Sequence, residues 1–264
     1  LQHFELGDIE LLSGEFLPDA ALAYCTYGEL NPDKDNAVLL PTFYTGSHIR
    51  NEGFFGAGRA IDPAKHFVVS VNMFGNGFSS SPSNAAVPVN GPNFPEISLY
   101  DNVFCQHRLL SEIFGVERIR LVAGWSMAGC QAYQWAAQFP EMVEAILPFC
   151  ASARTSPHNF VFLEGVKAAL TADQNFRSGH YDSPPESGLK AFARVYAGWA
   201  FSQSFYREGL FRNLGFETPE DLLKDWEDDH LNWDANNLLA KLRTWQTADI
   251  SANPLYGGDF QLAL

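Results

Sequence analysis

One short stretch concentrates residue types suited to covalent chemistry. In Gly124-Trp125-Ser126-Met127-Ala128-Gly129 a serine follows the apolar run Ile119 to Ala123 and precedes a helical pattern over Met127 to Gln138. A serine between a buried strand and a helix start has the setting that a nucleophile elbow requires. The turn must be sharp, so its flanking residues must be small. Gly124 meets that demand on one side. On the other, Ala128, with Gly129 directly after it, replaces the second glycine of strict G-x-S-x-G. Ser126 Oγ would then stand above the strand ends, where the Met127 N–H and the helix dipole stabilise a developing oxyanion. One such donor lowers a barrier by about 3 to 4 kcal/mol. The second donor is expected from the loop Pro41-Thr42-Phe43-Tyr44-Thr45-Gly46, through the Tyr44 backbone N–H. Ordinary packing is the competing reading of G-x-S-x-A. The strand-turn-helix context and the glycine-containing earlier loop favour a nucleophile.

A serine nucleophile needs a base and an orienting acid. Of seven histidines, only His158, His180 and His230 follow Ser126, and all fall in a helical region. Each reads better as a structural or surface residue than as the base. Asp173, Asp182 and Asp249 likewise read as caps or surface charges.

The elements that must position these groups follow from periodicity. Ile9 to Phe16 and Ala20 to Tyr27 alternate as a hairpin about Leu17-Pro18-Asp19. Four compact apolar runs, Ala37 to Leu40, Phe67 to Val71, Ile119 to Ala123 and Ala145 to Phe149, suit strands covered on both faces of a parallel sheet. Ser98 with Asp101 three residues on predicts a capped helix whose apolar face includes Leu99, Val103 and Leu110 and which closes at Gly115. From about Thr155 strand-like runs vanish. Helices are expected over Pro157 to Leu170, Gly188 to Phe205, Thr218 to His230 and Ala235 to Thr247. This predicts an α/β core over 1–154, a helical lid over 155–257 and a return toward the core over 258–264.

The 17 basic and 31 acidic residues give a net charge of −14, which repels phosphate backbones and anionic lipid. No apolar run is long enough to span a bilayer, and no basic-then-apolar leader is visible. The expected setting is the cytoplasm. Cys25, Cys105, Cys130 and Cys150 form no C-x-x-C pair, so reduced and mostly buried thiols are expected, with no metal site.

Taken together, Phe43-Tyr44-Thr45-Gly46-Ser47-His48, the loop Asn72-Met73-Phe74-Gly75-Asn76-Gly77, Asp101 to Leu110 and Gly124 to Met127 resemble the homoserine O-acetyltransferase branch of the α/β-hydrolase superfamily. The resemblance covers nearly all of the chain, lid included. It implies an acyl-serine intermediate, a Ser–Asp–His triad and an acyl donor such as acetyl-CoA, with no resident cofactor. It also implies a substrate-gripping role for Arg194, a lid ion pair being the other reading of that residue. Three departures stand against the narrower label. Trp125 and Ala128 occupy elbow positions where the family has glycines, and Trp125 would reshape the region beside the nucleophile. Phe201 stands where the family has a tyrosine, seven residues after the arginine, so homoserine fits poorly as acceptor. The acid and the histidine are expected beyond Leu264, in the order Ser, acid, His. A sheet without its last strands exposes an edge, which invites association such as a homodimer.

The sequence thus predicts an acyltransferase or ester hydrolase acting on a small ester or thioester, with no nucleic-acid or membrane partner. A non-catalytic binding protein with a relic elbow is the alternative.

Overall fold

Six strands form one mixed sheet in a computed structural model that describes residues 1–264: β1 (Gln2–Glu10), β2 (Phe16–Tyr27), β3 (Ala37–Pro41), β4 (Phe67–Val71), β5 (Leu121–Trp125) and β6 (Ile146–Phe149). Their spatial order is β1-β2-β4-β3-β5-β6. β1 and β2 are antiparallel, and β2 meets β4 antiparallel. The pairs β3–β4, β3–β5 and β5–β6 are parallel, each joined through helix or loop crossovers. β3 and β4 are buried at every position, as their unbroken apolar runs require.

The N-terminal hairpin exists, but its turn lies earlier than Leu17-Pro18-Asp19. The chain reverses at Leu11 to Glu15, closed by Leu11 N–H to Glu15 C=O at 2.9 Å. β2 then runs through Pro18 and Asp19 in a bulge, since Gly7 pairs with Ala20 and Ile9 with Leu17. A bulge suits a proline, which has no N–H to give to a ladder. Asp19 takes φ +47° there and donates its N–H to the Asp8 carboxylate at 3.0 Å.

Helices α1 (His48–Asn51), α2 (Leu99–Arg108) and α3 (Met127–Gln138) connect the strands. The largest core packs α2 and α3 against the sheet through Leu39, Val69, Val71, Leu109 and Trp135. The opposite face is thinly covered, by Phe55 and Ile61 over Val38, Leu40 and Val68. β6 is not buried on both faces as its sequence suggested. It is the edge strand, and Leu147 is 52% exposed beside an apolar groove shared with Leu121 and Trp125.

Beyond β6 lie α4 (Pro157–Thr171), α5 (Glu186–Ala200), α6 (Gln203–Arg207), α7 (Pro219–His230), α8 (Ala235–Gln246) and α9 (Phe260–Ala263). The expected single helix from Gly188 to Phe205 is two helices. Phe201 is extended (φ −115°, ψ 152°), and the Ser202 side chain caps a new helix at Phe205 N–H. Short polar side chains start helices in this way because they satisfy the first free N–H groups. A second core joins α4, α5 and α8 to Tyr44, Met73 and Met127 below them. Of the four cysteines only Cys105 and Cys130 are buried, and Cys150 is exposed.

The predicted cap of α2 is present and reaches further than a cap. Ser98 Oγ accepts from Asp101 N–H at 3.1 Å, and the Asp101 carboxylate accepts Ser98 N–H at 2.8 Å. Its other oxygen accepts Leu12 N–H at 2.8 Å, tying the hairpin turn to the helix start. Asp101→Ala therefore removes a cap and strands an N–H from each element, for a loss of about 2 to 3 kcal/mol. A urea midpoint equal to that of the parent protein would refute this accounting.

Candidate active site

Ser126 connects β5 to α3 with φ +54° and ψ −125°, in the positive-φ half of backbone space where a side chain is strained. Such a residue costs about 1 to 3 kcal/mol and persists only where its surroundings fix it. Here they do. Ser126 N–H donates to Phe149 C=O on β6 at 2.9 Å. Its C=O accepts Gly129 N–H at 2.8 Å and Cys130 N–H at 3.1 Å, the first bonds of α3. The close approach is made possible by glycines five apart. A Cβ on Gly124 would lie 2.3 Å from Ala128 C, and one on Gly129 would lie 2.6 Å from Ala151 Cβ. Ala128 contributes backbone to the contact with Gly124, which is why alanine is accepted at that position.

The Met127 N–H, at the first position of α3, makes no bond within the chain, and neither does the Tyr44 N–H. Both backbone donors named from the sequence are therefore unspent. Phe43 and Thr45, on either side of Tyr44, line the same cavity as Ser126, while the Tyr44 side chain is buried in the helical layer. Tyr44 is held to α8 at two points. Its hydroxyl donates to Leu238 C=O at 2.7 Å, and its own C=O accepts from the Lys241 ammonium.

Buried amides fix the loop below. Gln131 on α3 donates to Thr42 C=O at 2.9 Å and accepts from Gln106 at 2.7 Å. Gln106 in turn accepts from the Trp135 indole N–H at 2.9 Å. The Thr42 hydroxyl accepts Met73 N–H at 3.0 Å, stitching this loop to the one after β4. In that second loop, the Asn72 side-chain oxygen accepts His48 N–H at 3.1 Å and the Asn76 amide at 2.8 Å. Sequence reasoning noted the loop holding Asn72 and Asn76 but did not single out Gln106 or Gln131. Their signal was polar residues at core-facing helix positions, Gln106 on α2 and Gln131 on α3.

The cavity at Ser126 has a volume of about 350 Å³. Its walls are mostly aromatic, with Trp125 beside Ser126 and Phe162, Tyr196, Trp199 and Phe201 from the helices. Ser126, Thr45, Asn159, Tyr196 and Cys150 are the lining residues with polar side-chain ends besides the tryptophans, and no lining residue is charged. The Tyr196 phenol is held neutral, its pKa raised by burial. Trp125 and Phe201 are thus brought to Ser126. Arg194 is not. Its guanidinium bonds Glu220 at 2.6 Å and also Glu227, joining α5 to α7 away from the cavity lining. Two carboxylates satisfy it, which is the ion-pair arrangement, and it does not line this cavity.

No histidine lines this cavity. His158 is exposed, with its ring 4.8 Å from Trp199, and His180 is exposed. His230 is 2% exposed. Its Nδ1 is 2.8 Å from Trp226 C=O, and its Nε2 has no partner. Burial lowers its pKa, which keeps the ring neutral. Asp249 pairs with Arg154 at 2.5 Å and Asp182 with Arg177 at 3.0 Å, while Asp173 caps a short turn.

The sequence model of the alpha/beta hydrolase fold family matches residues 38–229. The chain belongs to the α/β-hydrolase family. An ethyl acetate hydrolase of Pseudomonas veronii is 38% identical over 98% of this chain and 75% of its own length. The crystal structure of the acetyl esterase MekB superposes with a TM-score of 0.96 at 37% identity, over 99% of this chain and 76% of that one. A homoserine O-acetyltransferase of Chlorobaculum tepidum is 36% identical over 74% of this chain and 57% of its own length. Family membership thus holds at the level of the superfamily, and both esterases and acetyltransferases resemble the chain. It is an α/β-hydrolase enzyme, which sets aside the non-catalytic alternative. No helix is long and apolar enough to cross a membrane.

The elbow geometry separates two substitutions that look alike on paper. Gly124→Ala puts a methyl into the backbone of α3 and is expected to cost more than about 3 kcal/mol or to abolish folding. Ala128→Gly restores the stricter motif and is expected to cost no more than about 1 kcal/mol, the usual helix penalty of glycine. Thermal unfolding of the two variants, side by side, measures the contrast. Equal losses would show that Gly124 is not the close-contact residue.

Proposed function

We propose that this enzyme hydrolyses small, neutral esters through Ser126. The hydroxyl oxygen attacks the ester carbonyl, and the negative charge that develops on the carbonyl oxygen is met by the Met127 and Tyr44 N–H groups. Collapse breaks the bond to the alcohol, which leaves with a proton, and water then attacks the acyl-serine and releases the acid. The base in such a triad is a histidine that comes after both the serine and the acid in chain order. None of the three histidines that follow Ser126 lines its cavity.

The observation that carries this reading is the uncharged lining of the cavity. Homoserine bears a carboxylate and an ammonium, and stripping water from unpaired ions costs several kcal/mol each. With Arg194 bound to Glu220 and Glu227, no cation lines the cavity to pair with a substrate carboxylate. A neutral short-chain ester loses little on entering, and aromatic walls favour its alkyl groups. Similarity to an ethyl acetate hydrolase and to an acetyl esterase supports the same choice.

The test compares ethyl acetate and p-nitrophenyl acetate with homoserine plus acetyl-CoA. Ester turnover is expected, with homoserine acetylation at least 100-fold weaker in kcat/KM. Ser126→Ala is expected to lower ester kcat by at least 10³-fold while leaving the fold intact. Efficient acetylation of homoserine would reverse the assignment, and full turnover by Ser126→Ala would remove the nucleophile.

A further inference from the structure

Lys241 on α8 is fully buried, yet no carboxylate is among the groups acting on it. Its ammonium donates to Tyr44 C=O and lies 4.2 Å from the centre of the Trp233 ring and 5.4 Å from that of Tyr44. The stem packs on the loop after β4, with Cγ 3.1 Å from where a Cβ of Gly75 would lie. Gly75 takes φ +80°, so the loop accepts this contact without strain. The charged or titratable groups that face Lys241 are Arg50 from α1, His230 from the end of α7, and Tyr44 itself. Arg50 carries positive charge and neutral His230 carries none, so neither compensates the ammonium.

An isolated buried cation opposes folding, and replacing one by an apolar residue is often neutral or stabilising. Burial and the Arg50 charge push the Lys241 pKa down to about 7, which shows the same penalty. The group is therefore poorly explained as a stabiliser. Its position suggests another use. Bond lengths put the ammonium no more than roughly 7 Å from the Tyr44 nitrogen, in a buried setting where a full charge acts strongly.

We infer that Lys241 is a positioning residue for the oxyanion hole: it fixes the Tyr44 backbone through the carbonyl and, in its protonated form, adds a positive field where the carbonyl oxygen of the substrate becomes negative. This rests on the reading of Ser126 and Tyr44 given above. A fixed charge of this kind favours the transition state over the neutral ground state, so its loss lowers kcat and leaves KM nearly unchanged.

The experiment measures kcat, KM and Tm with p-nitrophenyl acetate for the parent protein, Lys241→Met, Lys241→Gln and Ser126→Ala. Methionine keeps an unbranched stem against Gly75, and glutamine keeps an N–H donor without the charge. Lys241→Met is expected to lower kcat about tenfold or more, with KM within threefold and Tm at or above that of the parent. Lys241→Gln is expected to fall between the two. Parent-like kcat in Lys241→Met overturns the inference, as does a loss that follows a lower Tm or appears only in KM. If Lys241→Met does not fold, the same criteria apply to Lys241→Gln. Full turnover by Ser126→Ala would instead overturn the catalytic reading, so the two failures are told apart.

Discussion

The site depends on one backbone residue held where the chain would not rest by itself. Ser126 at φ +54° is clamped by β6 through its N–H and by the first turn of α3 through its C=O. The strain, about 1 to 3 kcal/mol, is small beside the packing of α3 on the sheet through residues such as Trp135 and Ala132. That imbalance lets the fold impose the conformation. It also explains why glycine is needed at 124 and 129, where atoms would overlap, and not at 128. The consequence for chemistry is direct. A residue turned in this way sits with its side chain at the cavity and with the free Met127 N–H next to it in the chain.

A second constraint acts on the facing loop. An oxyanion donor must be rigid to be useful, because a donor that has to reorganise during the reaction gives back much of its stabilisation. The loop after β3 achieves rigidity with buried polar bonds from several directions. Gln131 holds Thr42 from below, Met73 from the side, and α8 holds Tyr44 from above. The helical layer is therefore more than a roof. The same α8 that contributes Trp245 to the cavity wall also fixes the loop opposite Ser126.

Much of this was legible in the sequence, for physical reasons that differ by residue. The elbow could be read because sterics leave few residue types that fit, and because Gly124 and Ser126 stand at the junction of a strand run and a helix run. Helix starts at Ser98 and Thr218 could be read because their caps are local, with both partners within three residues. The hairpin turn was misplaced because Pro18 is a strong turn signal, and only the pairing of Gly7 with Ala20 shows that it lies in a bulge. Arg194 was ambiguous because its carboxylate partners lie 26 and 33 residues away on another helix. Lys241 left a fainter trace, a lone lysine in phase with Leu238, Leu242 and Trp245 on the buried side of α8. Such a residue signals a buried charge, but its target, a carbonyl 197 residues earlier, is visible only in the fold.

In the proposed function, substrate choice follows from where the charges are, more than from the shape of the cavity. The helical layer holds many ionised groups, yet in the pairs around α5 and α7 they neutralise one another away from Ser126, as Arg194 does with Glu220 and Glu227. What remains at Ser126 is aromatic surface, a few hydroxyl and amide groups, and two free backbone N–H donors. A site of that kind gives little to a charged ground state and reserves its electrostatic effect for charge that appears during the reaction. On the proposed reading, an arginine held by two carboxylates in place of one turned into the cavity is a difference in pairing that disfavours a charged acyl acceptor.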